Sequence, residues 1–369
     1  MKVLMLGWEF APIKSGGLGV ACRGIARGLN KTGVEICFVM PSYINSEDWE
    51  MGNTRLVSKR GIKIKKIMIS NEVLSAAYGS GSFNWEQVVR EKMKSNEKGS
   101  KKIYGQGFWK ELDRYTEEAI AMALENDHDI IHAHDWMTYK AGEEVKKITG
   151  KPLVVHVHAT EMDRTAGHPN PEIYAREKRG LFFSDRIIVV SDWTKQVLVR
   201  YYGIDPHKIE VVHNAVFVEQ EERDGKRTQY ISTENKIVLF LGRVTIQKGP
   251  EQFVKIAQRV LEKYQKVKFV LAGSGDMLPY IIDMIVDMGL QNDILCAGFL
   301  TGDSLDRALY SSNVYVMPSV SEPFGLSALE AVEYGVPVVM SKTSGAAEVL
   351  HNSFQAEFWD VDKMANEVI

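Results

Sequence analysis

In the stretch Glu322-Pro-Phe-Gly-Leu-Ser-Ala-Leu-Glu330, two carboxylates stand two helical turns apart, with a Pro-Phe-Gly corner just after the first. If Pro323 to Gly325 is a strand-to-helix turn, Gly325 lets the backbone come close to a ligand. The amides of Gly325, Leu326 and Ser327 then face an anion, with Phe324 in the same corner. Glu322, read as a solvent-facing carboxylate before the helix, can accept hydrogen bonds from sugar hydroxyls, and its removal is expected to cost the fold only about 1 kcal/mol. Glu330, further along the same face, can hold a ribose. A phosphate site with a carboxylate at each end describes a nucleotide sugar. An ordinary amphipathic helix fits the same residues, with Leu326, Leu329, Ala331 and Val332 toward the core and the glutamates in water. The rest of the chain decides between them.

Short β-branched runs alternate with amphipathic stretches on both sides of this segment. Val3–Leu6, Glu35–Val39, Asp129–His132, Leu153–His156, Arg186–Val190 and Glu210–Val212 read as strands, with helices at Leu18–Asn30, Trp109–Leu124 and Trp193–Tyr202. A second alternation runs through Ile237–Leu241, Lys268–Leu271, Ile294–Cys296, Val314–Met317 and Val336–Met340, with helices over Pro250–Tyr264 and Met277–Met288. This order predicts an α/β fold of two Rossmann-like domains, each a parallel sheet covered by helices, with a cleft between them. The charge run Glu219-Gln-Glu-Glu-Arg-Asp-Gly-Lys-Arg227 has no apolar period, so the expected division is 1–216, a linker over 217–235, and 236–369.

At 369 residues the chain suits two such domains, and a formal net charge of −3 carries no global basic footprint. Nucleic acid is therefore not the expected partner. Three scattered cysteines, Cys22, Cys37 and Cys296, make neither a disulfide framework nor a zinc site, which fits a reducing cytoplasm. Glu9 interrupts the apolar start, so Met1–Gly7 reads as a buried first strand rather than a secretory leader, and no apolar run approaches the length of a membrane span.

The polar motifs fall at the strand ends. After the first strand, Lys14-Ser-Gly-Gly-Leu-Gly19 opens a helix, where Gly16 and Gly17 can bring amides to a phosphate or simply make a tight turn. His132-Ala-His134-Asp135-Trp136 closes a later strand; its histidines share one face, but no second ligand cluster of comparable strength is evident, and metal is not expected. His156-Val-His158-Ala-Thr-Glu161-Met-Asp-Arg164 comes after the next strand. In the second half, Leu241-Gly242-Arg243-Val-Thr-Ile-Gln-Lys248-Gly249 places two cations in one loop, a planar fork and a point charge suited to a diphosphate. Ala272-Gly273-Ser-Gly275-Asp276 is a short glycine turn, weak as a dinucleotide fingerprint.

Taken in order, these motifs resemble the retaining glycosyltransferases of GT-B fold, families four and five, and glycogen synthases in particular. The resemblance covers most of the chain, from Lys2 to about Leu350. It implies an acceptor-side first domain and a nucleotide-sugar-binding second domain. It also implies that Lys14, Gly16 and Gly17 meet the donor phosphate, Asp135 lies by a sugar, and His158 lies near the anomeric carbon and the 6-hydroxyl. Arg243 and Lys248 would hold the diphosphate, with Gly242 in their loop. Gly273 would lie near the base, and Ser191 and Asn214, beside His213, match family positions. Glu161 and Arg164 match a narrower glycogen-synthase-like group and are expected to meet the acceptor. Family members usually continue with helices that return to the first domain, and the chain stops within an apparent helix, so those helices are expected to be missing.

The reaction this resemblance implies is a metal-independent hexosyl transfer from a nucleotide-diphosphate sugar, ADP-glucose or UDP-glucose, to an α-glucan, with retention of configuration. No cofactor is expected, and Asp283-Met-Ile-Val-Asp287 has helical rather than metal-binding spacing. The pairing of a glycogen-synthase-like first half with Ser344-Gly-Ala-Ala-Glu348 of the broader family keeps other acceptors open: sucrose- or trehalose-type, lipid or envelope glycan. An epimerase, a phosphorylase and an inactive nucleotide-sugar- or glucan-binding subunit are the rival readings.

Overall fold

The computed structural model describes residues 1–11, 16–43, 62–69, 106–216 and 234–369. Lys14 and residues 217–233 of the expected linker lie outside them.

Seven strands form the first sheet: β1 Lys2–Leu6, β2 Glu35–Tyr43, β3 Ile62–Ile69, β4 Ile130–His134, β5 Leu153–Val157, β6 Arg186–Val189 and β7 Ile209–Val211, in the order β3-β2-β1-β4-β5-β6-β7. Six form the second: β8 Lys236–Leu241, β9 Val267–Ala272, β10 Ile294–Gly298, β11 Val314–Met317, β12 Val338–Ser341 and β13 Phe354–Ala356, in the order β10-β9-β8-β11-β12-β13. All pairs in the second sheet are parallel, as are β1–β2, β1–β4, β2–β3 and β4–β5 in the first. In both sheets the first strand of the chain ends up inside, and later strands are added on either side. Such a reversal of winding leaves a crevice at the carboxyl ends of the central strands, where ligands bind in open α/β sheets.

The apolar runs form strands because helices cover both faces. Met5 of β1, for example, is fully buried with Phe38 of β2 and with Cys22 and Ala26 of the helix Gly17–Lys31. In the second unit Phe253, on the helix Pro250–Leu261, packs its ring 5.4 Å from Phe240 of β8 and 5.8 Å from Phe269 of β9. Each fully buried ring of this kind contributes about 1.5–3 kcal/mol relative to water.

By packing, one compact unit comprises Met1–His158, Pro171–Ile188 and Ile204–Glu210, and the other Ala159–Asn170, Val189–Gly203 and Val211–Ile369. The expected division at residue 216 is contiguous in sequence, whereas this one gives two early segments, each coming after a strand of the first sheet, to the second unit. Among the described residues no helix is long and apolar enough to cross a membrane.

Candidate active site

In the second unit the loops after β8, β9, β11 and β12 are stitched together by backbone hydrogen bonds. Val320 N–H donates to the Gln247 carbonyl at 2.9 Å, Glu322 N–H to Thr343 at 2.9 Å, and Gly345 N–H to Glu322 at 2.9 Å. Glu322 thus forms a parallel bridge with Ser344 instead of flanking the helix, which spans only Leu326–Glu333. Its side chain is buried, the residue being 4 % exposed, and is ion-paired with Lys248. The solvent-facing carboxylate expected from sequence is therefore a buried one. The reason is the corner itself: Gly325, at φ 102°, starts the helix with its own left-handed backbone, and no side chain caps the helix. Glu322 Oε2 takes Lys248 and a hydrogen bond from Ser319 Oγ at 3.2 Å, while among the described residues Oε1 has no hydrogen-bond partner.

Glu330 is half-buried, and among the described residues its carboxylate has no hydrogen-bond partner. Burial raises its pKa. Ser327 Oγ lies 2.7 Å from the hydroxyl of Tyr315, which is also 3.1 Å from the Leu241 carbonyl. Burial pushes the Tyr315 phenol well above its ordinary range; the Ser327 hydrogen bond opposes this, and the negative charges of Glu322 and Glu330 add to it. Tyr315 is a site residue that sequence alone does not mark, because an aromatic inside a β-branched run reads as plain core.

Arg243 comes just after β8, with its guanidinium 3.4 Å from Gln247 Oε1. The methylenes of Lys248 pass beside the Cα of Gly242. Gly273, at φ 148°, lies so close to the Gly242 carbonyl that a side chain there would collide with it. This glycine is thus required by the contact between two loops, whatever ligand is near. Phe324 is buried, and its carbonyl accepts from Ser344 Oγ at 3.1 Å, while Leu326 is half-buried at the start of the helix.

A buried polar chain continues from Glu322. Ser321 Oγ donates to Asp163 at 2.6 Å and lies 3.3 Å from the indole nitrogen of Trp193. Asp163 also closes a capping box with Thr160 at the start of the short helix Glu161–Arg164. Burial raises the Asp163 carboxyl, although its hydrogen bonds to Ser321 and Thr160 pull the other way. Ser191 donates to the Pro323 carbonyl at 2.5 Å. Glu348 accepts from the amides of Asp192 and Trp193 at 2.8 Å each and lies 2.8 Å from His213 Nε2, beside half-buried Asn214. Glu161 is buried, 3.7 Å from Arg164, and accepts from the Asn170 amide at 3.3 Å; desolvation raises its pKa.

The first unit carries the remaining candidates. Asp135, held at φ 59°, spends a carboxylate oxygen on the His158 amide at 2.7 Å. His158 Nε2 is 3.0 Å from His134 Nδ1, and burial lowers the His158 pKa against the pull of Asp135. Gly16 and Gly17 do open a helix, but Glu9 already accepts from the amides of Gly16 and Gly19 at 3.2 Å each. An anion expected at Gly16 therefore meets a carboxylate of the chain itself. In sequence Glu9 is only a break in an apolar run, and its return onto the glycine loop is not visible there. His156 and His158, a second pair two residues apart in the sequence, stack beside His132 and His134, a juxtaposition that only the pairing of β4 with β5 decides.

Residues 2–209 match the family described as starch synthase catalytic domain, and residues 222–367 the family described as glycosyl transferases group 1. The chain belongs to the starch synthase family of glycosyltransferases. An uncharacterized glycosyltransferase of Methanocaldococcus jannaschii is 29 % identical over 100 % of this chain and 90 % of its own length. The glycogen synthase of Mycobacterium tuberculosis is 23 % identical over 95 % of this chain and 80 % of its own. In architecture the two parallel-sheet units match GT-B structures: sucrose-phosphate synthase from Thermosynechococcus elongatus superimposes with a TM-score of 0.74 at 17 % identity, covering 100 % of this chain and 88 % of that one.

In this glycosyltransferase the candidate residues fall into two groups. Arg243, Lys248, Glu322, Gly325 and Glu330 come together at the strand ends of the second unit, joined there by Ser191, Asn214 and Glu161, while Asp135, His158, Gly16 and Gly17 belong to the first.

Proposed function

We propose that this glycosyltransferase moves a glucosyl unit from ADP-glucose or UDP-glucose to an α-glucan, with retention of configuration and without a metal at the diphosphate. The observation that carries this reading is the Glu322–Lys248 pair beside Arg243 in one loop cluster. Glu322 is buried and committed through one oxygen only, so Oε1 remains an acceptor for a hexose hydroxyl. Arg243 and Lys248 supply the positive charge that a metal ion held by carboxylates supplies elsewhere, and the amides of Leu326 and Ser327, at the start of the helix Leu326–Glu333, add donors, the Ala328 amide being taken by the Gly325 carbonyl. Glu330, half-buried with no hydrogen-bond partner among the described residues, suits the diol of a ribose, whose hydroxyls would replace the lost water.

Transfer then proceeds on one face of the sugar. The C1–oxygen bond breaks with its electron pair leaving on the diphosphate, the acceptor oxygen bonds to C1 from the same side, and the acceptor proton passes to the departing phosphate oxygen. Charge stabilisation of the leaving group and alignment of the acceptor carry the rate. His158 is assigned to the hexose near its 6-hydroxyl, Asp135 to the sugar and to holding His158, and Lys14 with Gly17 to the donor phosphate, while Gly16, whose amide Glu9 holds, turns the loop. Gly242, Gly273, Phe324, Leu326 and Ser327 shape the nucleotide pocket, and Glu161 orients the acceptor.

The test is incubation with labelled ADP-glucose and UDP-glucose, with and without glycogen, monitoring nucleoside diphosphate release and label in polymer, and reading the new linkage by proton NMR. Glycogen-dependent release with an α-linkage, unchanged by a brief EDTA treatment, is the expected result. A β-linkage would overturn retention, and binding without release would move the protein to the class of inactive subunits.

A further inference from the structure

Four histidines form a ladder on one face of the first sheet, and nothing in the transfer reading needs three of them. His132 and His134 lie two residues apart on β4, and His156 stands directly opposite His134 on β5. Ring centroids are 4.2 Å apart for His132–His134, 5.3 Å for His134–His156 and 5.5 Å for His132–His156. Each of the three is nine-tenths or more buried, at 7 %, 0 % and 3 % exposure. Among the described residues His132 Nε2, His134 Nε2 and both nitrogens of His156 have no hydrogen-bond partner. Buried polar atoms without partners are rare in native proteins, and a cluster of them on one face calls for a ligand that bonds to lone pairs.

We propose that His132, His134 and His156 bind one zinc-like transition-metal ion, a structural site distinct from the diphosphate pocket. One nitrogen from each lies within 4.8 Å of the other two, so small ring rotations bring all three to a common centre. Two ligands from one strand at alternate positions, with a third from the neighbouring strand, converge by the pleat alone. Three neutral imidazoles with the fourth position left to water are a recognised zinc set. The tautomer is right as well: if His134 keeps its proton on Nδ1, shared with His158 Nε2 at 3.0 Å, its Nε2 lone pair is free for the metal. Cys22, whose thiol lies within 4.8 Å of nitrogens of His134 and His158, belongs to the other end of the ladder and not to the three-histidine set. Because His158 bonds to His134, the ion would also fix the orientation of the histidine assigned to the hexose.

The metal site does not depend on the transfer reading, and its test uses metal content rather than turnover. Full-length protein made without a histidine tag is analysed by inductively coupled plasma mass spectrometry, then unfolded with chelator and refolded with cobalt(II). Expected are about one ion per chain, a tetrahedral cobalt absorption in the visible range, and at least about a 100-fold loss of cobalt affinity in His132→Leu and His156→Leu, since outer-sphere changes alone already cost about 10- to 100-fold. Should either variant fail to fold, the wild-type metal content and cobalt spectrum decide alone. Less than about half an ion per chain together with no cobalt band overturns the site. A His156→Leu variant that melts higher than the wild type, with the same cobalt spectrum, overturns it too, because the ring was then only an unmet buried dipole.

Discussion

The strand ends of the second unit and the histidine ladder of the first solve the same problem in opposite ways. Both bring polar groups out of water, one in the loops after strands and the other on the strands β4 and β5. At Glu322 the chain answers a buried charge with a charge: Lys248 binds one oxygen, Ser319 helps, and the remaining oxygen is the one assigned to the hexose in the proposed reaction. At His132, His134 and His156 the chain supplies imidazole rings and leaves most of their nitrogens without a hydrogen-bond partner among the described residues. The first arrangement pairs its buried charge within the chain; the second leaves buried nitrogens unpaired among the described residues.

The largest effect is expected from Lys248→Met. Breaking a buried pair leaves Glu322 uncompensated and should cost about 3 kcal/mol, read as a shift of the denaturant midpoint, with transfer falling about 1,000-fold. The double variant Lys248→Met/Glu322→Gln sharpens the comparison: stability should return to within about 1 kcal/mol of wild type, because the uncompensated charge is gone, while transfer stays lost. Stability that does not return would show that the pair holds the loops by geometry rather than by charge. By the same reasoning Glu322→Ala is not a mild change, since it strips Lys248 of its partner in a site where the lysine side chain is only 18 % exposed.

Arg243→Lys should lower kcat/KM for the donor by about 10- to 100-fold with an unchanged melting curve, because a point charge cannot replace the planar fork on a diphosphate. Equal loss for a donor lacking the β-phosphate would argue against that contact. Gly273→Ala should destabilise by about 1–3 kcal/mol, measured by urea titration, through backbone strain against Gly242.

The smallest effect concerns pH. Asp163 has a folded pKa raised by burial, so the folded state holds its proton more tightly than the unfolded chain does. The penalty is fully present above the folded pKa and is relieved as pH falls through it toward the ordinary carboxylate value near 4. Asp163→Asn keeps an acceptor for Thr160 and gains a donor for Ser321. Its melting temperature should exceed that of the wild type by about 2 °C near neutrality, with the gap closing as pH falls toward about 4. A gap that widens on acidification would mean that the hydrogen bonds outweigh desolvation.

Much of the fold is legible because its signals are local. Lys2–Leu6, Leu153–Val157 and Lys236–Leu241 are apolar runs of strand length, and Pro250–Leu261 announces itself by proline in its first turn and an apolar stripe. The helix Trp136–Thr149 is less evident in the sequence pattern, since its buried stripe of Met137, Ala141 and Val145 is interleaved with buried Thr138, Tyr139 and Glu143. Strand β13 is three residues long, too short to show a period. Among candidate site residues, Arg243, Lys248 and Glu322 stand out because charges in the loops after strands are conspicuous, and Glu330 by its spacing from Glu322. Glu9, Asp163, Ser321 and Tyr315 do not, for each acquires its meaning from a residue far away, as Ser321 does from Asp163, 158 positions distant.

By itself the sequence determined that this chain is two parallel α/β units with cations and carboxylates at the carboxyl ends of strands, because strand length, helical period and glycine corners are written in neighbouring residues. Tertiary structure alone decided that Glu322 is a buried partner of Lys248 and that four histidines form one ladder. The physical reason is register and burial. Which side chains face each other across a sheet, and how much water they keep, depend on pairing between distant segments, and these set charge state and free lone pairs.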